Sequence, residues 1–251
     1  MDPDSKLVTL FCPSPNIEPR REEQKPDLLL LHYTGMESCD GALAWLTNPD
    51  SKVSCHYLVD EEGRITQMVA EEMRAWHAGL AHWAGEDDIN SCSIGVEIHN
   101  GGHEFGTPDF PDVQMKAVVE LCRDIVTRNN IPPRRVLAHS DVAPARKSDP
   151  GEKFDWKRLA EAGVGLWVES EPVGSDDGLG PDEGGDDVKS LQVALKQLGY
   201  GIEPSGTYDE ATLIAVRAFQ RHWRPEKTDG RADRSTRVTL DRLIAAHTLT
   251  A

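Results

Sequence analysis

Residues 169–187 have almost nothing to bury, and this limits how the whole chain can fold. The stretch is rich in glycine and acidic residues and contains no basic residue. Acidic segments without apolar partners favour an extended, flexible state over a packed one. The sequence therefore predicts two units, residues 1–168 and residues 188–251, joined by an acidic Gly-rich linker. Both lengths fall within the usual range for domains.

Strand and helix patterns alternate in the first unit. Segments rich in Val, Ile and Leu and bounded by Gly, Pro or Asp predict strands at residues 27–33, 53–60, 64–69, 93–99 and 135–139. Apolar residues at helical spacing and flanking turn residues predict helices at residues 39–46, 112–129 and 155–162. We therefore expect an α/β domain with a mixed central sheet flanked by helices.

The second unit carries three short apolar stripes at helical spacing, over residues 188–198, 213–219 and 238–243. Turn sequences separate the stripes. They predict a small three-helix domain, and nothing in this part of the chain suggests an active site of its own.

The net charge of −16 bears on the possible partners. Nucleic acid and anionic membrane surfaces both require basic patches, so neither is an expected partner.

The sequence has no apolar run long enough for a transmembrane helix. It also begins without an apolar stretch of signal-peptide length, which predicts a cytoplasmic protein unless it is exported by another route. The oligomeric state is left open.

The pattern of the five cysteines also favours a cytoplasmic protein. They are scattered along the chain, lack any CxxC spacing and are odd in number, so at least one cannot pair within the chain. We expect reduced thiols, as in a cytosolic protein.

A loop that leaves the predicted strand 135–139 holds an imidazole, an ammonium and a carboxylate: His139, Lys147 and Asp149. In an extended loop, residues two apart face the same way, so Lys147 and Asp149 can face one site. A His and an Asp are two of the three protein ligands of a catalytic zinc site, in which water is the fourth ligand. A nearby Lys could stabilise a developing oxyanion.

A third ligand is available at His32, which ends the apolar strand begun by Leu28–Leu31 and precedes a Gly turn. Functional groups of open α/β sheets collect at such strand ends. A single buried histidine is more often structural than catalytic. The set of His32, His139 and Asp149 is harder to explain in that way, because two imidazoles end apolar strands.

Glu97 is the one acid between the apolar residues Val96 and Ile98, and it faces the other side of their strand. A carboxylate in so apolar a strand is unusual unless it is paired or functional. The alternative is an exposed Glu on an edge strand. Beside a metal set, Glu97 is the leading candidate for a general base.

Several motifs together resemble the zinc-dependent N-acetylmuramoyl-L-alanine amidases, which share their fold with phage amidase lysozymes and peptidoglycan recognition proteins. The resemblance covers roughly residues 10–165. The motifs are His32 after its strand, Val53-Ser-x-His56, Ala75-Trp-His-Ala-Gly79, Ser93-Ile-Gly-Val-Glu97 and His139-x7-Lys147-x-Asp149-Pro-Gly.

The resemblance implies that His32, His139 and Asp149 bind Zn²⁺, that Glu97 activates water and that Lys147 stabilises the oxyanion. The bond cut would join the lactyl group of N-acetylmuramic acid, or of its anhydro form, to L-alanine. The substrate would be peptidoglycan or a soluble muropeptide, in cell-wall turnover or recycling. Tyr33, Trp76 and His77 are the candidates for substrate contact.

Two rival functions remain. The chain could be a peptidoglycan recognition module without catalysis, although the complete ligand set argues against it. It could also be a zinc peptidase that cuts within the stem peptide. The second unit resembles a three-helix peptidoglycan-binding domain but has Asp209 and Asp233 in place of turn glycines. Aspartate tolerates left-handed turn geometry better than most residues, so we expect the three-helix fold to accommodate both replacements.

Overall fold

The computed structural model of the protein describes residues 2–249 and has eight strands. The strands are β1 (Leu10–Phe11), β2 (Ile17–Pro19), β3 (Leu28–Tyr33), β4 (Tyr57–Val59), β5 (Ile65–Gln67), β6 (Met73–Ala75), β7 (Ser93–Ile98) and β8 (Val136–Ala138). Six of them form a sheet in the order β1-β5-β4-β7-β3-β8, and β2 pairs with β6. The sheet is mixed, because β4 and β5 are antiparallel while β7, β3 and β8 are parallel.

Helices flank the sheet and make up the second unit, so the predicted fold class is confirmed. They are α1 (Cys39–Leu46), α2 (Ile89–Cys92), α3 (Asp112–Asn129), α4 (His139–Val142), α5 (Trp156–Glu161), α6 (Asp186–Leu198), α7 (Glu210–Trp223) and α8 (Arg234–Leu249). The predicted bounds of α1 and α3 are correct at both ends. Between residues 2 and 249, no helix is long and apolar enough to cross a membrane.

One prediction about the site loop needs correction. His139 was expected to end a strand, but it is the first residue of α4. The strand stops at Ala138 because its backbone N–H turns to the side chain of Asp141, 2.8 Å away, instead of continuing a ladder. The polar side chain of Asp141 thus closes the first turn of a short helix.

Strand β3 is buried on both faces, and its four leucines, Leu28–Leu31, have no exposed surface. Leu29 and Leu31 join a core that includes the apolar face of α3. Leu28 and Leu30 join a second core, which continues into the apolar residues of α6, α7 and α8. The two units therefore share one hydrophobic core on that side of the sheet.

The acidic segment 169–187 lies against the second unit, in contrast to the flexible linker that its composition predicts. The backbone of Leu179 pairs with that of Ala232 in a short antiparallel bridge. The carboxylate of Glu171 accepts a hydrogen bond of 2.7 Å from Arg242. Arginines of the second unit offset the like charges that would otherwise keep the segment extended. The domain boundaries themselves remain a proposal.

The two aspartates that replace turn glycines do not adopt left-handed geometry. Asp209 has a φ of −84° and caps α7, where its side chain accepts hydrogen bonds from the backbone and hydroxyl of Thr212. Asp233 does the same for Thr236 in the first turn of α8. Aspartate is a favoured residue at this capping position.

A buried carboxylate joins the end of α3 to the rest of the first unit. Glu71 is 5% exposed and accepts hydrogen bonds from Tyr57, Arg128 and Asn129 over 2.7–2.9 Å. Burial by itself would raise the pKa of Glu71, but these donors outweigh it and lower the pKa. A lowered pKa in the folded state stabilises the protein at neutral pH, and this stabilisation is lost as the pH falls through that pKa.

We expect Glu71→Ala to lower the free energy of unfolding by about 3 kcal/mol at pH 7, because it strands buried donors. Urea unfolding at pH 7 and at pH 4 would measure this, and the deficit should shrink at the lower pH. Asp124→Ala, which removes the more exposed carboxylate partner of Arg128, is the matched control and should cost less than about 1 kcal/mol. Equal costs for the two variants would contradict the expectation.

Candidate metal centre

The candidate ligands meet at the carboxyl ends of three adjacent parallel strands. His32 lies near the end of β3 and pairs across the sheet with Glu97 of β7. His139 follows β8 directly, and the loop after α4 returns Asp149 to the same edge. This is where functional groups collect in open α/β sheets.

The three predicted ligands form a tight triangle. The Nδ1 atoms of His32 and His139 are 2.9 Å apart, and Oδ2 of Asp149 lies 3.1 Å from the first and 3.0 Å from the second. All three side chains are buried, with residue exposures of 1%, 2% and 5%. Among the His, Cys, Asp and Glu side chains of residues 2–249, these three are the ones close enough together to hold a metal ion.

Hydrogen bonds on the far sides of the imidazoles determine which nitrogens face the centre as acceptors. Nε2 of His139 lies 3.0 Å from the carbonyl oxygen of Ala78. Because a carbonyl only accepts, Nε2 must carry the proton. In the neutral ring, Nδ1 of His139 is then a lone pair aimed at the centre.

A series of three hydrogen bonds shows that Nδ1 of His32 is also unprotonated. The hydroxyl of Ser93 donates to the carbonyl of Ile89 at 2.5 Å, so its oxygen accepts from Nε2 of His77 at 3.3 Å. Nδ1 of His77 is then free to accept from Nε2 of His32, 3.0 Å away. Nδ1 of His32 remains as a second lone pair pointing inward.

The protonation states agree with a cation site. Burial, reinforced by the neighbouring His139, lowers the pKa of His32 to about 4, so its ring is neutral at pH 7. Two nitrogen lone pairs and a carboxylate would repel one another without a cation. This donor set fits zinc, with one coordination position open.

Glu97 lies beside this triangle on a central strand, since β7 pairs with β3 on one side and β4 on the other. An exposed edge-strand position is therefore excluded. Its Oε2 is buried and has no hydrogen-bond partner among the described residues. Burial raises the pKa of Glu97 well above its ordinary value; Asp149 adds to this rise, while Lys147 opposes it. A carboxylate with a raised pKa and a free oxygen beside the ligands can take up and release a proton.

A pocket of about 360 Å³ opens over the ligands. Its wall includes Glu97, Lys147 and the predicted contact residues Tyr33, Trp76 and His77. Four further lining residues were not predicted from the sequence. Three of the four lie outside every recognised motif, and the fourth is an intervening position of the motif from His139 to Lys147. They are Met36, Trp45, Glu104 and Arg146. Of these, Trp45 is 51% exposed although it belongs to α1.

The contact candidates differ in the polar atoms they offer. The hydroxyl of Tyr33 is 3.1 Å from that of Ser148 and 3.0 Å from Nδ1 of His103. Nε1 of Trp76 has no partner within residues 2–249. Both ring nitrogens of His77 are occupied, as described above, which leaves its ring carbons to contact a substrate. The side chain of His77 is therefore arranged to orient His32.

His56 of the Val53-Ser-x-His56 motif is outside the pocket wall and has no exposed surface. Its Nδ1 accepts from the backbone N–H of Gly95 at 3.0 Å, and its Nε2 lies 3.1 Å from the carbonyl of Met73. These contacts join three segments of the first unit. His56 is therefore a structural residue of the core and does not line the site.

Known proteins resemble this chain over both units. A family profile described as N-acetylmuramoyl-L-alanine amidase matches residues 22–152, and one described as a peptidoglycan binding domain matches residues 184–240. The N-acetylmuramoyl-L-alanine amidase AmiD of Escherichia coli is 35% identical over 244 residues, which cover 91% of this chain and 87% of AmiD.

Two solved structures extend the likeness to the fold. The complex of E. coli AmiD with the substrate anhydro-N-acetylmuramic acid-L-Ala-D-gamma-Glu-L-Lys matches with a TM-score of 0.77 and 33% identity, covering 92% of this chain and 93% of that one. AMPDH3 from Pseudomonas aeruginosa, in complex with an anhydromuramic pentapeptide, matches with a TM-score of 0.72 and 31% identity, covering 92% and 95%.

Proposed function

This chain belongs to the N-acetylmuramoyl-L-alanine amidase family, and we propose that it hydrolyses the amide between a muramic lactyl group and L-alanine. The observation that carries the proposal is the Oε2 atom of Glu97, which is buried without a hydrogen-bond partner among the described residues and lies on the same pocket wall as the ligand triangle. The anhydro-muramic peptides bound to two solved relatives support a soluble anhydro-muropeptide as substrate.

We propose that His32, His139 and Asp149 hold Zn²⁺ through the three atoms that converge on the centre. Zinc in such a site lowers the pKa of a bound water from about 15.7 to about 7 and polarises a carbonyl. The donor bonds from His139 to Ala78 and from His32 to His77 keep the two rings in the tautomer that a metal requires.

Glu97 is proposed as the group that moves the proton. In its ionised form the carboxylate accepts a proton from the attacking water, and it then delivers that proton to the nitrogen of the leaving amine. Its raised pKa makes this carboxylate a stronger base than an ordinary glutamate, which favours the first of the two transfers. The products are a free muramic carboxylate and a peptide that begins with L-alanine.

Lys147 is exposed, lines the pocket and is proposed to donate to the carbonyl oxygen as it becomes negative. We expect Lys147→Ala to lower kcat by roughly 10²–10³, the usual cost of losing one oxyanion donor. Steady-state hydrolysis of an anhydro-muropeptide measures this. Lys153→Ala is the matched control, because Lys153 is an exposed lysine outside the pocket wall that pairs with Asp109. Near-normal turnover by Lys147→Ala would remove the proposed role.

The rival functions make different products. A recognition module would bind the muropeptide and leave it intact, and a peptidase would cut between stem residues. Mass spectrometry after incubation with the metal-loaded protein separates the three, because only the amidase frees the amino group of L-alanine. A chelated sample is the control. Intact substrate in the loaded sample, or a cut inside the stem, would overturn the proposal.

Tyr33 and Trp76 are proposed to contact the substrate at the pocket wall, since both offer polar atoms beside the ligands. Comparison of rates on soluble anhydro-muropeptides and on intact sacculi would identify the preferred form. We expect faster cleavage of the soluble form.

A further inference from the structure

We propose that the second unit holds the metal-binding loop in position, through His222 and Tyr200, which both hydrogen-bond to the side chain of Asp141. This inference rests on the proposed zinc site, since the residue held in place is its ligand His139. It assigns to the helical unit a role at the active centre, separate from any contact with cell wall.

Asp141 is buried at the boundary between the two units and accepts three hydrogen bonds. Its Oδ2 accepts from the backbone N–H of Ala138 at 2.8 Å and from Nδ1 of His222 at 2.6 Å. Its Oδ1 accepts from the hydroxyl of Tyr200 at 2.9 Å. Asp141 has no exposed surface, and His222 and Tyr200 are 1% and 2% exposed. Two of the three donors therefore come from the second unit.

The contact with Ala138 connects this carboxylate to the metal site. The N–H that Asp141 accepts belongs to the residue directly before His139, and it closes the first turn of α4. Nδ1 of His139 must stay within about 2.1 Å of a zinc ion to bind it. A shift of Asp141 would turn the backbone at Ala138 and carry the imidazole away from the other two ligands.

The ring of His222 is held in one orientation. It stacks between Trp156 of the first unit, with ring centroids 3.7 Å apart and planes at 24°, and Trp223, at 3.7 Å and 7°. Nε1 of Trp223 donates to the carbonyl of Leu166 at 3.2 Å, which fixes the outer ring in turn. The sandwich leaves the ring little freedom to rotate, so Nδ1 points steadily at Asp141.

The buried carboxylate of Asp141 needs the two donors from the second unit for an electrostatic reason. A carboxylate without exposed surface is costly unless its oxygens are hydrogen-bonded. Without His222 and Tyr200, Asp141 would retain one donor, the backbone of Ala138. The carboxylate would then move toward water, and that movement loosens the turn that positions His139. The second unit thus maintains the position of Asp141.

Two substitutions at one position test the role of the hydrogen bond. His222→Phe keeps a ring between the tryptophans but removes the donor, whereas His222→Asn keeps an N–H near the position of Nδ1 and removes the stacked ring. Zinc affinity is measured by competition with a chromophoric chelator, and site geometry by the visible spectrum of the cobalt-loaded protein. We expect His222→Phe to weaken zinc binding about 10- to 100-fold, as for groups that orient ligands, and to alter the cobalt spectrum.

His222→Asn should recover most of the affinity despite the lost stacking, and Tyr200→Phe should weaken zinc binding by a smaller factor. Val216→Ala is the stability control, because Val216 is buried in the shared core on the same helix. It should lower Tm and leave zinc affinity unchanged. If His222→Phe does not fold, Tyr200→Phe carries the same comparison.

The proposal is overturned if the His222 and Tyr200 variants lower Tm as Val216→Ala does but bind zinc with unchanged affinity. Affinity that falls in proportion to Tm, with no rescue by His222→Asn, also overturns it. Failure of the proposed function gives a different result: the unmodified protein would bind zinc and leave muropeptides intact, and the affinity comparison would still stand.

Discussion

Glu97→Gln is expected to abolish most amide hydrolysis while the metal stays bound. The carboxylate is the proposed proton carrier, and loss of a general acid–base group typically costs 10²–10⁴ in rate. Glutamine has nearly the same shape and cannot take a proton from water at neutral pH. Because Oε2 of Glu97 has no hydrogen-bond partner among residues 2–249, the substitution should not break a structural contact.

Three measurements on Glu97→Gln test this prediction: kcat on an anhydro-muropeptide, zinc content after dialysis, and Tm. Glu104→Gln is the matched control, since Glu104 is another acid of the pocket wall but lies in the loop after β7. It should keep activity close to that of the unmodified protein. Loss of zinc from Glu97→Gln would instead make this residue a ligand or a support for the site.

Asp149→Ala is expected to remove both the metal and the activity. The carboxylate supplies one of the three converging ligand atoms and the only negative charge among them. Two imidazoles alone do not complete the three-ligand set of a catalytic zinc site. Zinc content after dialysis against a weak chelator should fall from stoichiometric to background, with turnover falling below detection.

The control for Asp149→Ala is Asp87→Ala, which removes an exposed carboxylate that contacts His82 at 2.6 Å. It changes a His–Asp pair of the same chemistry outside the metal site and should leave zinc content and turnover unaffected. Stoichiometric zinc in Asp149→Ala would contradict the assignment of this residue as a ligand. Zinc loss with Asp87→Ala would point to a general effect on folding.

The long elements could be predicted from sequence because their patterns repeat. The amphipathic face of α3 spans five turns, and its predicted bounds agree with the structure at both ends. Strands β2 and β6 and helices α2 and α4 have three or four residues each, too few for any period to show. The caps formed by Asp209 and Asp233 could not be predicted, because a single aspartate fits both a cap and a left-handed turn.

Some features of the candidate site could also be predicted from the sequence, and others could not. The convergence of His32, His139 and Glu97 could be predicted, since residues at the ends of adjacent parallel strands meet at one edge. The carbonyl of Ala78 and the hydroxyl of Ser93 could not, because backbone groups and short hydroxyl side chains carry no motif. The contact of Asp141 with His222 joins residues that lie 81 positions apart in two different units.

The leucines of β3 limit how far the helical unit can be exchanged for another domain. Alternate side chains of one strand belong to two cores, and one of these cores is completed by helices far along the sequence. A cut at the boundary between the units would expose the side of the sheet that carries Leu28 and Leu30 as an apolar patch prone to aggregation. The helical unit is therefore not an exchangeable cassette. Transplanting it, or replacing it by another module, would require matching substitutions across the catalytic sheet.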